Sequence, residues 1–259
     1  MNIQLLSDLH LETEAYTPRP APGADLLVLA GDIDSTWAGL GLFAKWPVPV
    51  IYVPGNHEFD GRDVDEALAG LRARCHLLGL TLLERDTCIV TAPDGRHIRF
   101  VGTTRWSDFD LFGVDQQARA MRAASYFVKV MRATRDGAPF APEVVREEAL
   151  RCRQWLANTL AQQPTPDQHW DTTVAITHYG PSLRSADPRY GGQPGTASFC
   201  NADDELLPRA ALWIHGHLHC RHDYLVPHAH GVTRVVSNAR GHARKGEADG
   251  HDGLCCIAI

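Results

Sequence analysis

The 259-residue chain contains no apolar run approaching the roughly 20 residues that a membrane-spanning helix needs. No membrane segment is expected. Its opening, MNIQLLSDLHLE, lacks the basic start and long apolar stretch of a secretory signal, and acidic residues arrive at once. Seven cysteines make an odd count, and no two are spaced as CxxC. Reduced thiols in a cytoplasmic protein are the expectation. Positive charge is also scarce, with 25 Lys and Arg against 31 Asp and Glu for a net charge of −6. Proteins that grip long nucleic acid ordinarily carry a basic surplus, because their affinity comes from neutralising phosphates. A long polymer is therefore not an expected partner. There is no internal repeat, and nothing in the sequence reports an oligomeric state.

What is present is apolar material for a large core, 44% of the residues, which excludes disorder. Short apolar runs at Asn2–Ser7, Asp25–Ala30 and Pro49–Val53 each end in a polar or glycine-rich turn: SDLH, GDID, PGNH. Continuous runs of this length suit strands buried on both faces. With helices expected over 35–46 and 63–75, the first third reads as βαβαβ, an α/β pattern. Three short strands are expected at Leu80–Glu84, Cys88–Ala92 and His97–Gly102, arranged as a meander around the Asp94-Gly95 turn. Helices are expected at 115–134 and 143–162, then strands at Thr173–Thr177, Leu212–His215, Thr233–Ser237 and Leu254–Ile259. Between the first two of these strands runs a long Gly-, Pro- and Ser-rich loop, 180–204, of the kind that usually carries function. Motifs at both ends of the chain argue for one domain, 1–259, with a helical cap insertion around 105–162.

Five clusters carry the chemistry: Asp8-x-His10, Gly31-Asp32, Gly55-Asn56-His57-Glu58, His178, and Gly216-His217-x-His219. The first four follow strand-like runs directly. In α/β sheets the ends of neighbouring strands converge on one crevice, so residues distant in sequence can meet there. Two-metal hydrolytic sites hold their ions roughly 3.5–4 Å apart. Two dications at that distance repel by on the order of 20 kcal/mol at an effective dielectric of about 20. Aspartates such as Asp8 and Asp32 would offset that repulsion, and one is best shared. Imidazoles add coordination without charge, and Asn56 adds a carbonyl oxygen. A nitrogen and oxygen set without thiolate suits Mn, Fe, Zn or Co.

Any one piece is weak, since Asp8, Asp32 and Asn56 taken singly would read as turn residues. In this order, the set resembles the calcineurin-like metallophosphoesterases, whose pattern is D-x-H, G-D, G-N-H-[DE], a lone His, and G-H-x-H. SDLH, GDID, GNHE, THYGP and GHLH match it across residues 8 to 219 with no ligand missing. The resemblance implies a metallophosphoesterase β-sandwich of two mixed sheets flanked by helices. It implies that Asp8, His10 and His219 bind one metal, that Asn56, His178 and His217 bind the other, and that Asp32 bridges them. His57 would protonate the leaving oxygen or stabilise charge in the transition state. A metal-activated hydroxide would then attack phosphorus in line.

The remaining candidates are weighed against plainer roles. His215 is expected to be structural or to support the ligands from behind, Asp34 a helix N-cap, and Glu58 either an orienting group or a solvated one. Trp106, Phe109 and Phe112 line the substrate pocket or pack beneath a cap. Arg184, with Arg189 and Tyr190, either holds a second phosphate or a leaving group or, as the plainer expectation, lies in a solvent-exposed loop. Arg240 or Asn238 is expected at the site rim, in a segment similar to the SNxRGY stretch of some bacterial members. The run after Gly31-Asp32 has no arginine of the kind the phosphoprotein phosphatase branch uses to grip a dianionic monoester. That leans towards a phosphodiesterase acting on a small or medium-sized ester. The alternatives are a phosphomonoesterase, a nuclease, and a non-catalytic scaffold of the same fold.

Overall fold

The computed structural model describes residues 1–259. Strands β1 (Asn2–Leu6), β2 (Leu26–Leu29) and β3 (Val50–Tyr52) lead to helix α1 (Val64–Leu78) and strand β4 (Thr81–Leu82). Then come β5 (Asp86–Thr91), β6 (His97–Thr103), α2 (Val114–Met131), a small hairpin β7 (Thr134–Arg135) and β8 (Ala138–Pro139), and α3 (Pro142–Leu160). The chain ends with β9 (Thr172–Thr177), β10 (Leu212–His215), β11 (Arg221–His228), β12 (Gly231–Asn238) and β13 (Cys256–Ala258).

Two mixed sheets form. The first runs β13-β1-β2-β3-β4, parallel except for β13. The second runs β11-β12-β10-β9-β6-β5, with a parallel centre and an antiparallel hairpin at each edge. Side chains alternate across each strand. Leu5, Val28 and Ile51 of the first sheet meet Phe100, Val174 and Ile214 of the second in one buried layer. Leu6, Leu29 and Tyr52 point the other way, onto Val64, Leu71 and Cys75 of α1. Val101, Ala175 and Trp213 pack outwards onto Leu156 and Leu160 of α3. Each fully buried aliphatic side chain contributes about 1.5–3 kcal/mol.

Helix boundaries follow local chemistry. Asp63 caps α1 by accepting from the N–H groups of Asp65 and Glu66, and Gly79 ends it at φ 71°, where a side chain would be strained. The helix expected over 35–46 is only a 3₁₀ turn, Ala38–Phe43. Gly39 and Gly41 weaken a helix there, and Pro47 and Pro49 stop one. Asp34 is not the N-cap of that turn, a place Trp37 takes, but its carboxylate accepts from Thr36 N and Gly39 N beside it. The expected meander does not form. β4 joins the first sheet beside β3, and the chain crosses to the second sheet through Arg85 at φ 48°. Strand β11 was not legible, because its alternation is muted at a half-exposed edge and Pro227 interrupts it. No helix is long and apolar enough to cross a membrane. Residues 105–162 divide between α2, which covers the crevice at the strand ends, and α3, which flanks the second sheet.

Candidate metal centre

Asp8, Asp32 and Asn56 follow β1, β2 and β3, while His178 and His217 follow β9 and β10. These are the C-terminal ends of the parallel strands in both sheets, and the open edge of the sandwich brings them together. Asp8, His10, Asp32 and His219 form one cluster of possible ligand atoms, and Asp32, His178 and His217 form another, each within 4.8 Å. Asn56 Oδ1 lies 3.2 Å from His178 Nε2. The sequence-derived set therefore meets in space, with Asp32 common to both clusters.

Close approach demands the glycines of these loops. A Cβ on Gly31 would sit 2.3 Å from His178 Nδ1, and one on Gly55 would sit 2.2 Å from Asp32 Oδ1. The loops are also strained. Asp8, His10, Asp32, His217 and His219 all adopt positive φ, between 46° and 72°. Each such residue costs roughly 1–3 kcal/mol. Hydrogen bonds hold them in place: Asp8 N to Gly31 O at 2.9 Å, His10 N to Asp32 O at 3.1 Å, and His217 N to Asp8 Oδ1 at 2.9 Å.

The atoms facing inward are acceptors. Each imidazole spends one ring nitrogen on an oxygen outside the cage. His10 Nδ1 donates to Glu12, His219 Nδ1 to Glu247, His178 Nδ1 to the Ala30 carbonyl, and His217 Nε2 to the Ser198 carbonyl. The opposite nitrogens turn their lone pairs towards the centre. There His10 Nε2 and His219 Nε2 stand 3.0 Å apart. Asp32 Oδ2 is buried with no hydrogen-bond donor. Buried acceptors facing one another without donors are costly, and cations remove the cost. The residues present fit divalent metal ions.

Charge follows the same logic. Burial opposes ionisation of Asp32, yet without metal the positive charge carried by His178 first, and by His57 and His10, holds its carboxyl well below the ordinary range. Burial opposes the charge on His178 in turn, but Asp32 lifts its pKa to about 9. A bound cation would take the place of that proton and leave the ring nitrogen as a lone-pair donor. Burial and the neighbouring His178 keep His217 neutral, its basicity far below normal. His57 has its backbone N–H on Asp32 Oδ1 at 2.9 Å and its Nδ1 on Asp60 Oδ2 at 2.8 Å. Burial lowers its pKa, but Asp32 and Asp60 outweigh that and lift it to about 10. Its Nε2 is left free on the wall of the cleft.

Glu58 is fully buried, and so is not the solvated group that was the alternative. Its carboxylate accepts from Gly55 N at 2.6 Å, Ile33 N at 2.7 Å and Asp32 N at 3.0 Å, tying the second and third strand-end loops together. Burial pushes its pKa up to about 7 despite those donors. His215 is buried and points away from the cage. Its Nδ1 lies 3.0 Å from Gly216 O, and burial drives its pKa down to about 3.

The cleft over the cage measures about 610 Å³. Trp106, Phe127, Tyr179 and Phe199 give it an apolar wall, and Arg189 and Lys245 also line it. Trp106 lines it, packed against Phe59, Phe140 and Tyr179. Arg184 and Arg240 do not line it. Arg184 donates to Leu225 O and lies over Tyr224, while Arg240 turns onto Glu14 and Tyr16. Asn238 likewise spends its amide on the Leu5 and Asp252 carbonyls. Long cationic side chains near a loop find the nearest acceptor, and sequence does not reveal which one is nearest. Glu12, Glu247 and His242 were missed. Glu12 falls two residues after His10, but nothing marks it. Glu247 and His242 lie beyond every motif.

A cage of this kind at the open edge of such a sandwich defines a metal-dependent phosphoester hydrolase. Residues 1–120 match the sequence profile of the calcineurin-like phosphoesterases. The matched stretch holds Asp8, His10, Asp32, Asn56 and His57. Among solved structures, the phosphopantetheinyl hydrolase from Mycobacterium tuberculosis is similar in fold. It shares 18% sequence identity and a TM-score of 0.70, over 98% of this chain and 94% of that one. No curated protein matches the chain in sequence.

Proposed function

We propose that the protein is a dinuclear phosphodiesterase acting on a small or medium-sized ester, with residues 1–259 working as one catalytic domain. The observation that carries the diester reading is the lack of a free guanidinium at the cage. Arg105 is buried between Asp108 and Asp203. Arg189 in the cleft is paired with Asp187. Arg184 and Arg240 are turned away. Lys245 alone lines the cleft without an acidic partner. A diester carries a single negative charge and needs less cationic help than a dianionic monoester.

In this reading Asp8, His10 and His219 would hold one ion, Asn56, His178 and His217 would hold the other, and Asp32 would contribute to both. When bound, the ions supply the Lewis acidity and water activation that hydrolysis at phosphorus requires. Mn, Fe, Zn and Co all suit the donor set. Asp60 and Asp32 fix His57 so that Nε2 presents a proton to the cleft, where the departing alkoxide needs one. Phe127, Phe199 and Trp106 give an apolar arm of the ester a surface to lie on and keep bulk water from that side.

The test is hydrolysis of bis-p-nitrophenyl phosphate against p-nitrophenyl phosphate by protein loaded with each of the four metals. A phosphopantetheinyl ester belongs in the panel because the structural neighbour is a phosphopantetheinyl hydrolase. Faster turnover of the diester is expected. A clear preference for the monoester rejects the diester reading. An inert, metal-loaded protein points to a scaffold.

A further inference from the structure

The four imidazoles of the cage are anchored in two chemically different ways. His10 and His219 donate Nδ1–H to carboxylates, Glu12 Oε1 at 3.2 Å and Glu247 Oε2 at 2.7 Å. His178 and His217 donate to backbone carbonyls, Ala30 O at 2.8 Å and Ser198 O at 3.2 Å. The two kinds are not mixed. The carboxylate-anchored pair faces Asp8, with His219 Nε2 3.6 Å from Asp8 Oδ1. The carbonyl-anchored pair belongs with the neutral Asn56.

Both carboxylates are built into place. The second oxygen of Glu12 accepts from Ser35 N at 3.0 Å, and Glu247 Oε2 also accepts from His242 N at 2.9 Å. Their side chains are only 14% and 10% exposed. Neither makes a salt bridge with a lysine or arginine, Lys245 and Arg189 acting on Glu247 only at longer range, so the imidazoles are their direct charge partners. The loop that delivers Glu247 is pinned to the strand end carrying Asp8, through Arg240 N to Ser7 O at 3.1 Å and Gly241 N to Asp8 O at 3.0 Å.

An imidazole whose N–H is held by a carboxylate becomes a stronger donor through its other nitrogen, and its orientation is fixed. A carbonyl has the same geometric effect with less charge. Negative charge also gathers on one side, since Asp8, Glu12 and Glu247 surround one position while the other shares only Asp32. Resting on the two-ion reading above, we propose that Glu12 and Glu247 are positioning residues that make the cage unequal. The Asp8–His10–His219 position takes the first divalent cation and holds it more tightly than the Asn56–His178–His217 position.

The experiment is a titration of metal-depleted, full-length protein with Mn²⁺, in competition with a chelator and followed by electron paramagnetic resonance. Two stages separated by at least about tenfold are expected, and Asn56→Ala should remove only the weaker one. Glu247→Gln and Glu12→Gln should each weaken the tighter stage by about 10–100-fold. The weaker stage stays in place, which also reports that the variants are folded. Glu247→Asp should recover part of the loss. Two equivalents bound with one constant would overturn the inequality and leave the two-ion reading standing. The same holds if Glu247→Gln weakens only the second stage. Uptake of one equivalent or none by the unmodified protein defeats the two-ion reading itself, and this inference with it.

Discussion

His57 donates its Nδ1–H to Asp60 Oδ2 at 2.8 Å, three residues along one tight turn. The pair leaves Nε2 as the only free nitrogen of the ring and keeps it protonated far above the usual histidine range. His57→Ala should lower kcat by roughly 10²–10⁴-fold with metal content unchanged. Asp60→Asn should cost less and move the alkaline limb of the rate profile to lower pH, because the imidazolium loses a stabilising charge. Metal analysis beside a pH–rate profile checks both. An unchanged limb in Asp60→Asn would show that Asp60 does not support the proton on His57.

Glu58 joins the two strand-end loops through backbone N–H groups. In Glu58→Gln an amide NH₂ would replace one carboxylate oxygen and face those donors. The mismatch should cost on the order of 1–3 kcal/mol, read as a fall in Tm of metal-free protein. Metal affinity should weaken too, since Asp32 and Asn56 hang from the same loops.

The Arg105 guanidinium is buried against Asp203 Oδ1 at 2.8 Å and Asp108 Oδ2 at 2.7 Å. Removing it in Arg105→Ala would leave two buried carboxylates without their partner. A loss of about 3–5 kcal/mol is expected by denaturant unfolding. The fraction that folds should keep its KM, which a substrate-binding arginine would not allow.

His215 sets an acid limit on stability. In the unfolded chain its imidazole titrates at its ordinary pKa, about 6.5. In the folded protein burial holds it to about 3. Between these values the unfolded state binds the extra proton, so stability falls as pH falls through this window, by up to about 1.4 kcal/mol per pH unit. His215→Leu should flatten the stability profile between about pH 6 and 4 by close to one proton. Urea unfolding at several pH values measures the slope. An unchanged slope would mean that other groups set the acid limit.

The cage was legible early because its parts are short, ordered and attached to strand ends. An apolar run followed by GD or GNH is a local signal, and parallel strands carry such ends to one edge whatever lies between them. The strands of the first sheet were legible for the same reason. Where the reading failed, the signal was not local. The segment Leu80–Gly102 has the alternation of a meander, but whether β4 pairs with β3 or with β5 depends on which partner the crossing at Arg85 brings nearer. Arg184 and Arg240 are cations in the right loops, and only the fold shows that Leu225 O and Glu14 reach them first.

The sequence alone thus determined which atoms are available to bind metal and the order in which the chain supplies them. Ligand type is chemistry, and strand-end placement follows from a hydrophobic pattern that any reader of the chain can see. Tertiary structure decided which nitrogen of each histidine points inwards and what holds it there. Glu247 reaches His219 from 28 residues away, and the carbonyls of Ala30 and Ser198 carry no side-chain signature at all. A hydrogen bond is set by direction and by distances of tenths of an ångström, and those quantities exist only once the two sheets have closed on each other.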